Sequence, residues 1–381
     1  MRILFSSLGL HGHTYPLLPL AIAARELGHD VSYFTGAAFA NALTPHGIEH
    51  IVGGMDLREA FAIANEGVPP GKPQEADPER IAAAFASVLP RAFARDLAPV
   101  LADRKPDLVV HEVGNPGAGL AAKVAGVPGV CHSFGRMWQE DEFADAATRH
   151  LLAVAADLGV GMPEDNLMTL GNPYLDICPP SVQDKGFLAT ATNRIPLRPV
   201  PFAEPGELPP WVFDHREPLV YLTLGTAFGD PGVLRTAIDG LATLGGRVLV
   251  AAGPTVDTAA LGGLPDHVAV LPWVPQADLL PHVDLVVHHG GSGTTMGAFG
   301  AGVPQLVVPQ GADQFSNAAM VTEAGLGDQV LGADLTAEVV AAKARHLLTD
   351  EAVRAAARAI ADEVAAMPSP HDVARTLPDH A

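Results

Sequence analysis

Cysteine is almost absent: Cys131 and Cys178 are the only two in 381 residues, too few for a disulfide framework, so both read as buried thiols. Basic charge is scarce too. Lys and Arg number 23 against 43 Asp and Glu, a formal net charge of −20, and that field repels phosphate backbones and anionic lipid surfaces. No nucleic-acid partner is expected, and an anionic ligand needs a local site built from backbone N–H groups or a helix N-terminus. No uninterrupted apolar run approaches the roughly 18 residues of a bilayer span. Met1–Leu8 lacks the length and the small-residue cleavage site of a signal peptide, and a cytoplasmic protein is expected. Nowhere does the chain contain His-Glu-x-x-His, Cys-x-x-Cys, Asp-x-Asp or Gly-Lys-Ser/Thr. Those gaps exclude the common metal signatures and a Walker A loop, so neither a metal nor a bound cofactor is expected.

What is present is core material. Apolar residues make up 48% and charged residues 17% of the chain, and its length exceeds twice the ~150 residues of a typical domain, so two globular domains are expected. Arg2–Leu8 reads as a strand, Pro16 opens a segment with Leu17, Leu20, Ala21, Ala24 and Leu27 on one helical face, Gly28 ends it, and Asp30–Thr35 is the next strand. This alternation gives an α/β class with parallel βαβ units. Residues 55–103 interrupt it with prolines between two Ala-rich helical stretches, as an insertion or lid does. A second proline-rich stretch suggests boundaries at 1–200 for an N-terminal domain, 201–217 for a linker, 218–365 for a C-terminal domain, and 366–381 for a tail that returns to the first domain.

The two halves echo each other. Asp107-Leu-Val-Val-His111 recurs as Asp284-Leu-Val-Val-His288, and Ala125-Gly-Val-Pro128 recurs as Ala301-Gly-Val-Pro304 at the same interval to within one residue. Two Rossmann-like domains facing each other across a cleft are expected. Glu112 and His289 follow the repeated pentapeptide, so both should lie past the C-terminal ends of equivalent strands, where open α/β sheets bind ligands.

The densest run of motifs spans Trp273–Asn317. It contains Trp273-Val274-Pro-Gln276, then His288-His289-Gly-Gly291-Ser292-Gly293-Thr294-Thr295, then Asp313-Gln314-Phe-Ser-Asn317. His289–Thr295 reads as a strand end, a Gly-rich turn and a helix start, which together aim free N–H groups outward as a diphosphate cradle. The same glycines could serve only a tight turn. Trp273 could be a core aromatic and Asp313 a plain helix cap.

In its order and spacing this set resembles the donor signature of family 1 glycosyltransferases. A second match is Ser7-Leu-Gly-Leu-His11-Gly12-His13-Thr-Tyr-Pro16-Leu-Leu-Pro-Leu-Ala21, which looks most like the actinobacterial antibiotic glycosyltransferases, including the enediyne (calicheamicin-type) group. The resemblance implies a GT-B fold and inverting transfer of a sugar from a nucleoside diphosphate to a hydroxyl of an apolar, natural-product acceptor. By the same resemblance His13 is the general base and Glu112 orients it, in a place where many relatives carry Asp. A solvated strand-end carboxylate is the other reading of Glu112.

For the donor, the resemblance assigns Trp273 and Val274 to the base, Gln276 to base or ribose, His289, Gly291, Ser292, Gly293, Thr294 and Thr226 to the diphosphate, and Asp313 and Gln314 to sugar hydroxyls. Acceptor contacts fall to His11, Phe134, Met137 and Trp138; His288 reads as a packed strand-end histidine. UDP-sugar relatives commonly carry Glu at the position of Gly297. Its absence favours a dTDP-sugar over a UDP-sugar, unless Gly297 only permits close helix packing. Alternatives to transfer are a nucleotide-sugar 2-epimerase and a nucleotide-binding partner without turnover; within transfer the linkage stays open, since a carbon nucleophile could replace oxygen in the same site. The oligomeric state stays open, a homodimer included.

Overall fold

The computed structural model describes residues 1–66, 77–137, 142–164, 167–226, 230–253 and 256–381. The chain divides into two compact units, Met1–Arg198 with Pro368–Ala381, and Pro199–Met367.

The first unit is built on seven strands: β1 (Arg2–Ser6), β2 (Asp30–Thr35), β3 (Glu49–Val52), β4 (Leu108–Glu112), β5 (Gly129–His132), β6 (Tyr174–Asp176) and β7 (Arg194–Pro196). They lie in the order β3-β2-β1-β4-β5-β6-β7, and every pair is parallel. β4 is buried at all five positions, as a central strand covered on both faces must be, which is why it reads as an apolar run with no polar alternation.

Residues 55–103, expected as an insertion or lid, supply a layer of this core instead. Helices Leu57–Ala64 and Leu89–Arg104 and the helical segment Ala84–Val88 that leads into the second place Ala60, Ala84, Leu89, Phe93, Leu97 and Leu101 in one cluster with Leu4, Phe34 and Val109. Apolar side chains at helical spacing need a face to bury, and the open side of the sheet provides it. Residues 67–76 lie outside the described set.

The C-terminal helix Pro370–Thr376 also belongs to this unit. Ser369 and Asp372 form a capping box at its start, the Arg198 N–H donates to the Pro368 carbonyl at 2.8 Å, and His371 reaches Glu26 at 2.7 Å.

The second unit holds β8 (Leu219–Thr223), β9 (Arg247–Ala251), β10 (Val268–Leu271), β11 (Leu285–His288), β12 (Gln305–Val307) and β13 (Gly327–Gln329). Their order is β10-β9-β8-β11-β12-β13, again all parallel. Of the stretch 201–217, Leu208, Trp211 and Val212 pack in a core cluster of this unit.

In both sheets the strand order reverses beside the first strand of the unit, between β1 and β4 and between β8 and β11. Connections leave such a point in opposite directions and open a crevice at the carboxyl ends of the strands. The repeated Asp-Leu-Val-Val-His is β4 with its preceding Asp in one unit and β11 with its preceding Asp in the other.

Candidate active site

In the first unit the crevice holds His13 and Glu112. The helix starts earlier than Pro16: His11–Thr14 form one turn, Tyr15–Leu17 a tighter one, and Leu18–Glu26 continue it, so His13 sits within a helical turn and not in an open loop. Its Nδ1 is 2.9 Å from Glu112 Oε1, with the His13 side chain 16% exposed and the Glu112 side chain 0%. Glu112 is the last residue of β4, not one beyond it, and its carboxyl is buried, which removes the reading of a solvated strand-end carboxylate.

A carboxylate can only accept, so Nδ1 carries the proton and the lone pair of the neutral ring is on Nε2. Oε1 also accepts the Gly114 N–H at 2.6 Å. Oε2 is buried with no hydrogen-bond partner among the described residues. A buried carboxylate so incompletely paired gains from a cation beside it, and so favours the imidazolium when the ring takes a proton. Gly114 is required here. A Cβ at that position would stand 2.5 Å from Glu112 Oε1 and 3.2 Å from His13 Nδ1.

Apolar groups adjoin the pair. The Phe134 ring lies 4.9 Å from that of His13, and Phe134 and Met137 pack, partly buried, on Val113, Cys131 and Tyr174. His11 meets Tyr15 and Phe39 edge-on at 5.1 and 5.2 Å. Trp138 lies outside the described residues.

In the second unit, Gly291 is the N-cap of helix Ser292–Ala301, whose first N–H groups have no partner within the helix. A Cβ on Gly293 would meet nothing within 4 Å, so the turn is open there. The His289 ring fits between two glycines: a Cβ would stand 2.6 Å from its Cε1 at Gly225, whose φ is +77°, and 2.4 Å from its Nε2 at Gly291. Burial pushes His289 down to about 4, against a smaller opposing pull from the Thr223 backbone, so near neutral pH it is an uncharged donor. Its Nδ1 has no hydrogen-bond partner of good geometry among the described residues. Thr226 follows Gly225 in the loop after β8.

Trp273 is 41% exposed between β10 and the short helix Gln276–Leu279, so it is no core aromatic, whereas Val274 is buried. Gln276 Oε1 accepts from Thr294 Oγ1 at 3.1 Å and from Tyr221 OH at 3.3 Å. Asp313 stands at the N-cap of helix Gln314–Glu323, yet its side chain makes no capping bond. Its Oδ2 accepts instead from Ser292 Oγ at 2.8 Å and Asn317 Nδ2 at 3.1 Å. Gln314 Oε1 accepts the N–H groups of Gln310 and Gly311 at 2.8 and 3.2 Å and so shapes the loop before Asp313, where Ala312 takes a left-handed φ of +54°.

His111 and His288, equivalent in the two units, are both packed. Asn172 Nδ2 donates to His111 Nε2 at 2.9 Å, and His288 bridges Gln305 Oε1 at 2.9 Å and the Gly290 N–H at 3.1 Å. Burial pushes them down to about 4 and about 3. Among the described residues no three His, Cys, Asp or Glu converge as metal ligands, and no helix is long and apolar enough to cross a membrane.

Residues 235–379 match the family described as erythromycin biosynthesis protein CIII-like, C-terminal domain. Over 389 residues the chain is 35% identical to the L-demethylnoviosyl transferase of Streptomyces niveus, covering 99% of this chain and 97% of that protein. It belongs to the GT-B natural-product glycosyltransferases. The glycosyltransferase SsfS6 of Streptomyces sp. SF2575, solved with thymidine diphosphate, superposes with a TM-score of 0.81 at 28% identity, covering 100% of this chain and 99% of that one. The calicheamicin glycosyltransferase CalG4 gives 0.82 at 25% identity over 100% and 98%.

For three residues of this glycosyltransferase the motifs assign no role. Asn317, 2% exposed, donates from Nδ2 to the Gly290 carbonyl at 2.8 Å, to Ser292 Oγ and to Asp313 Oδ2; its signal is its place four residues after Asp313. Gly114 and Gly225 make room for rings and carboxyls from other segments, which no local pattern announces.

Proposed function

We propose that this glycosyltransferase transfers a deoxysugar from a dTDP donor to a hydroxyl of an apolar natural product, with inversion and without a metal. The observation that carries this reading is the 2.9 Å contact of His13 Nδ1 with buried Glu112 Oε1, which leaves Nε2 as the basic nitrogen. His13 Nε2 takes the acceptor proton, the oxygen attacks the anomeric carbon from the side opposite the diphosphate, and the C–O bond to the diphosphate breaks as its electron pair leaves with the phosphate oxygen. Glu112 stabilises the imidazolium, as the carboxylate does in hydrolase triads. An α-linked donor then gives a β-glycoside. An epimerase does not need the Gly12-His13 pair at the first turn together with Asp313-Gln314, and a silent binding module has no use for a base held by a buried acid.

The leaving charge is met by the open N-terminus of Ser292–Ala301 and by His289. Trp273 offers an exposed indole face to the base. Support for dTDP comes from Gly297, which has no side chain to grip a ribose hydroxyl; a Cβ there would stand 2.8 Å from Leu280 Cδ1, so the glycine also permits close packing. SsfS6, a relative, was solved with thymidine diphosphate. Phe134 beside His13, and Met137 on the same apolar cluster as Phe134, suit an apolar acceptor.

Calorimetric titration with dTDP, UDP and NAD in excess chelator tests the reading. Tighter metal-free binding of dTDP is expected; a preference for UDP removes the Gly297 argument, and binding of NAD alone overturns the assignment.

A further inference from the structure

His11–Thr14 is the first turn of a helical run that continues to Glu26, and terminal turns are the ones that fray, so the orientation of His13 depends on what that turn is tied to. Beneath it lie Ser7, Thr14, Tyr33 and Thr35, all 0% exposed. Buried hydroxyls are costly unless bonded, and the bonds here have one consistent direction.

Thr14 Oγ1 is 3.0 Å from the Leu8 carbonyl, which can only accept, so the single Thr14 proton is committed there. The 3.0 Å contact between Ser7 Oγ and Thr14 Oγ1 must then be donated by Ser7. Ser7 in turn accepts from Tyr33 OH at 3.1 Å. The relay runs Tyr33 to Ser7 to Thr14 to Leu8, joining β2, the end of β1 and the helical turn. Two longer contacts, Ser7 Oγ to Thr35 Oγ1 at 3.5 Å and Tyr33 OH to the Thr14 carbonyl at 3.4 Å, would draw on the same single protons of Ser7 and Tyr33, so the shorter pair defines the route. The Leu8 carbonyl also accepts the Leu10 N–H at 2.8 Å, and Leu10 begins the turn. Successive residues of a helix point about 100° apart, so the Thr14 side chain can face down to the sheet while that of His13 turns sideways to Glu112. Burial and the nearby Glu112 charge raise the Tyr33 phenol, which keeps its proton.

We propose that Thr14 is a positioning residue: the hydroxyl relay from Tyr33 through Ser7 fixes the turn that aims His13 at Glu112 and at the acceptor. This rests on His13 being the base. Loss of the relay should impair the chemical step while leaving nucleotide binding, which is assigned to the other unit, unchanged.

The test compares Thr14→Val, which keeps the shape and loses the hydroxyl, with Thr14→Ser, which keeps the hydroxyl, and with His13→Ala. Thr14→Val is expected to lower kcat by about 10–100-fold, the range in which a slightly misplaced group costs rate. Its dTDP Kd should stay within twofold, and its deficit should narrow as pH rises and solvent hydroxide substitutes for the base. Thr14→Ser is expected to restore most of the rate.

A Thr14→Val enzyme at wild-type kcat, beside a slow His13→Ala, overturns the relay and leaves the base intact. An unaltered His13→Ala removes the base and the relay with it. Equal loss in Thr14→Val and Thr14→Ser, or a loss shared by dTDP affinity, also overturns the proposal. If Thr14→Val does not fold, Tyr33→Phe is read by the same measures: a several-fold loss of kcat supports the relay and wild-type kcat overturns it.

Discussion

Ser292 Oγ donates to Asp313 Oδ2 at 2.8 Å, and Asn317 Nδ2 reaches both atoms at 3.1 Å. The turn that opens one helix is thereby tied to the start of another, so the proposed diphosphate and sugar contacts share one hydrogen-bonded triangle. Asn317 also holds the Gly290 carbonyl, which makes it the common member.

Asn317→Ala should therefore loosen both ends of the donor at once. Several buried partners lose their donor, and each unmade bond costs about 1–3 kcal/mol. A rise in donor KM of about tenfold or more and a lower melting temperature are expected in steady-state kinetics and calorimetry. Wild-type donor KM would show that the triangle does not shape the donor site.

Gly225→Ala drives a Cβ to 2.6 Å from the His289 ring at a φ of +77°, a conformation that L side chains rarely adopt. Displacing that ring should weaken dTDP binding by about tenfold or more, roughly 1.4 kcal/mol. Acceptor binding should be unchanged. Titration with dTDP alone separates the two effects, and unaltered affinity would remove His289 from the diphosphate site.

At the other site, Glu112→Gln keeps shape and an acceptor for the Gly114 N–H but cannot stabilise the imidazolium. Turnover should fall by about 10²–10⁴-fold, the range of lost acid–base assistance, with dTDP affinity unchanged. Gly114→Ala, whose Cβ would stand 2.5 Å from Glu112 Oε1 and 3.2 Å from His13 Nδ1, should reproduce the loss by pushing the pair apart. A fully active Glu112→Gln would separate the acid from the reaction.

The architecture was legible where it repeats. The echo of Asp107–His111 in Asp284–His288 points to equivalent strands, and β4 and β11 do occupy the same place in two parallel sheets. What local pattern could not reveal is what strand pairing brings together. Ser7, Thr14 and Tyr33 meet because β1 and β2 are parallel neighbours, and Gly225 reaches His289 because β8 adjoins β11. For Glu112 the sequence allows two readings, partner of His13 or solvated strand-end acid; its burial and its contact with His13 decide for the first, and the helical turn that carries His13 begins before Pro16.

Acid should destabilise the fold well above the usual carboxylate range. His111 and His132 are pushed down to about 4 by burial, and His288 and His289 are also held low. The unfolded chain binds these protons near pH 6.5 while the native state refuses them until about pH 4. Stability is thus full above 6.5 and falls between 6.5 and 4, by about 1.4 kcal/mol per pH unit for each histidine. Asp176, which burial raises, works in the opposite sense with one proton. Denaturant midpoints at pH 7, 6 and 5 should fall steadily, and a flat profile would contradict this burial.

The most direct measurement is the turnover of His13→Ala at saturating donor and acceptor, set beside its affinity for dTDP. The account predicts a fall in kcat of about 10²–10⁴-fold with dTDP affinity within twofold of wild type. Unaltered turnover, or a loss that follows dTDP affinity, would contradict it.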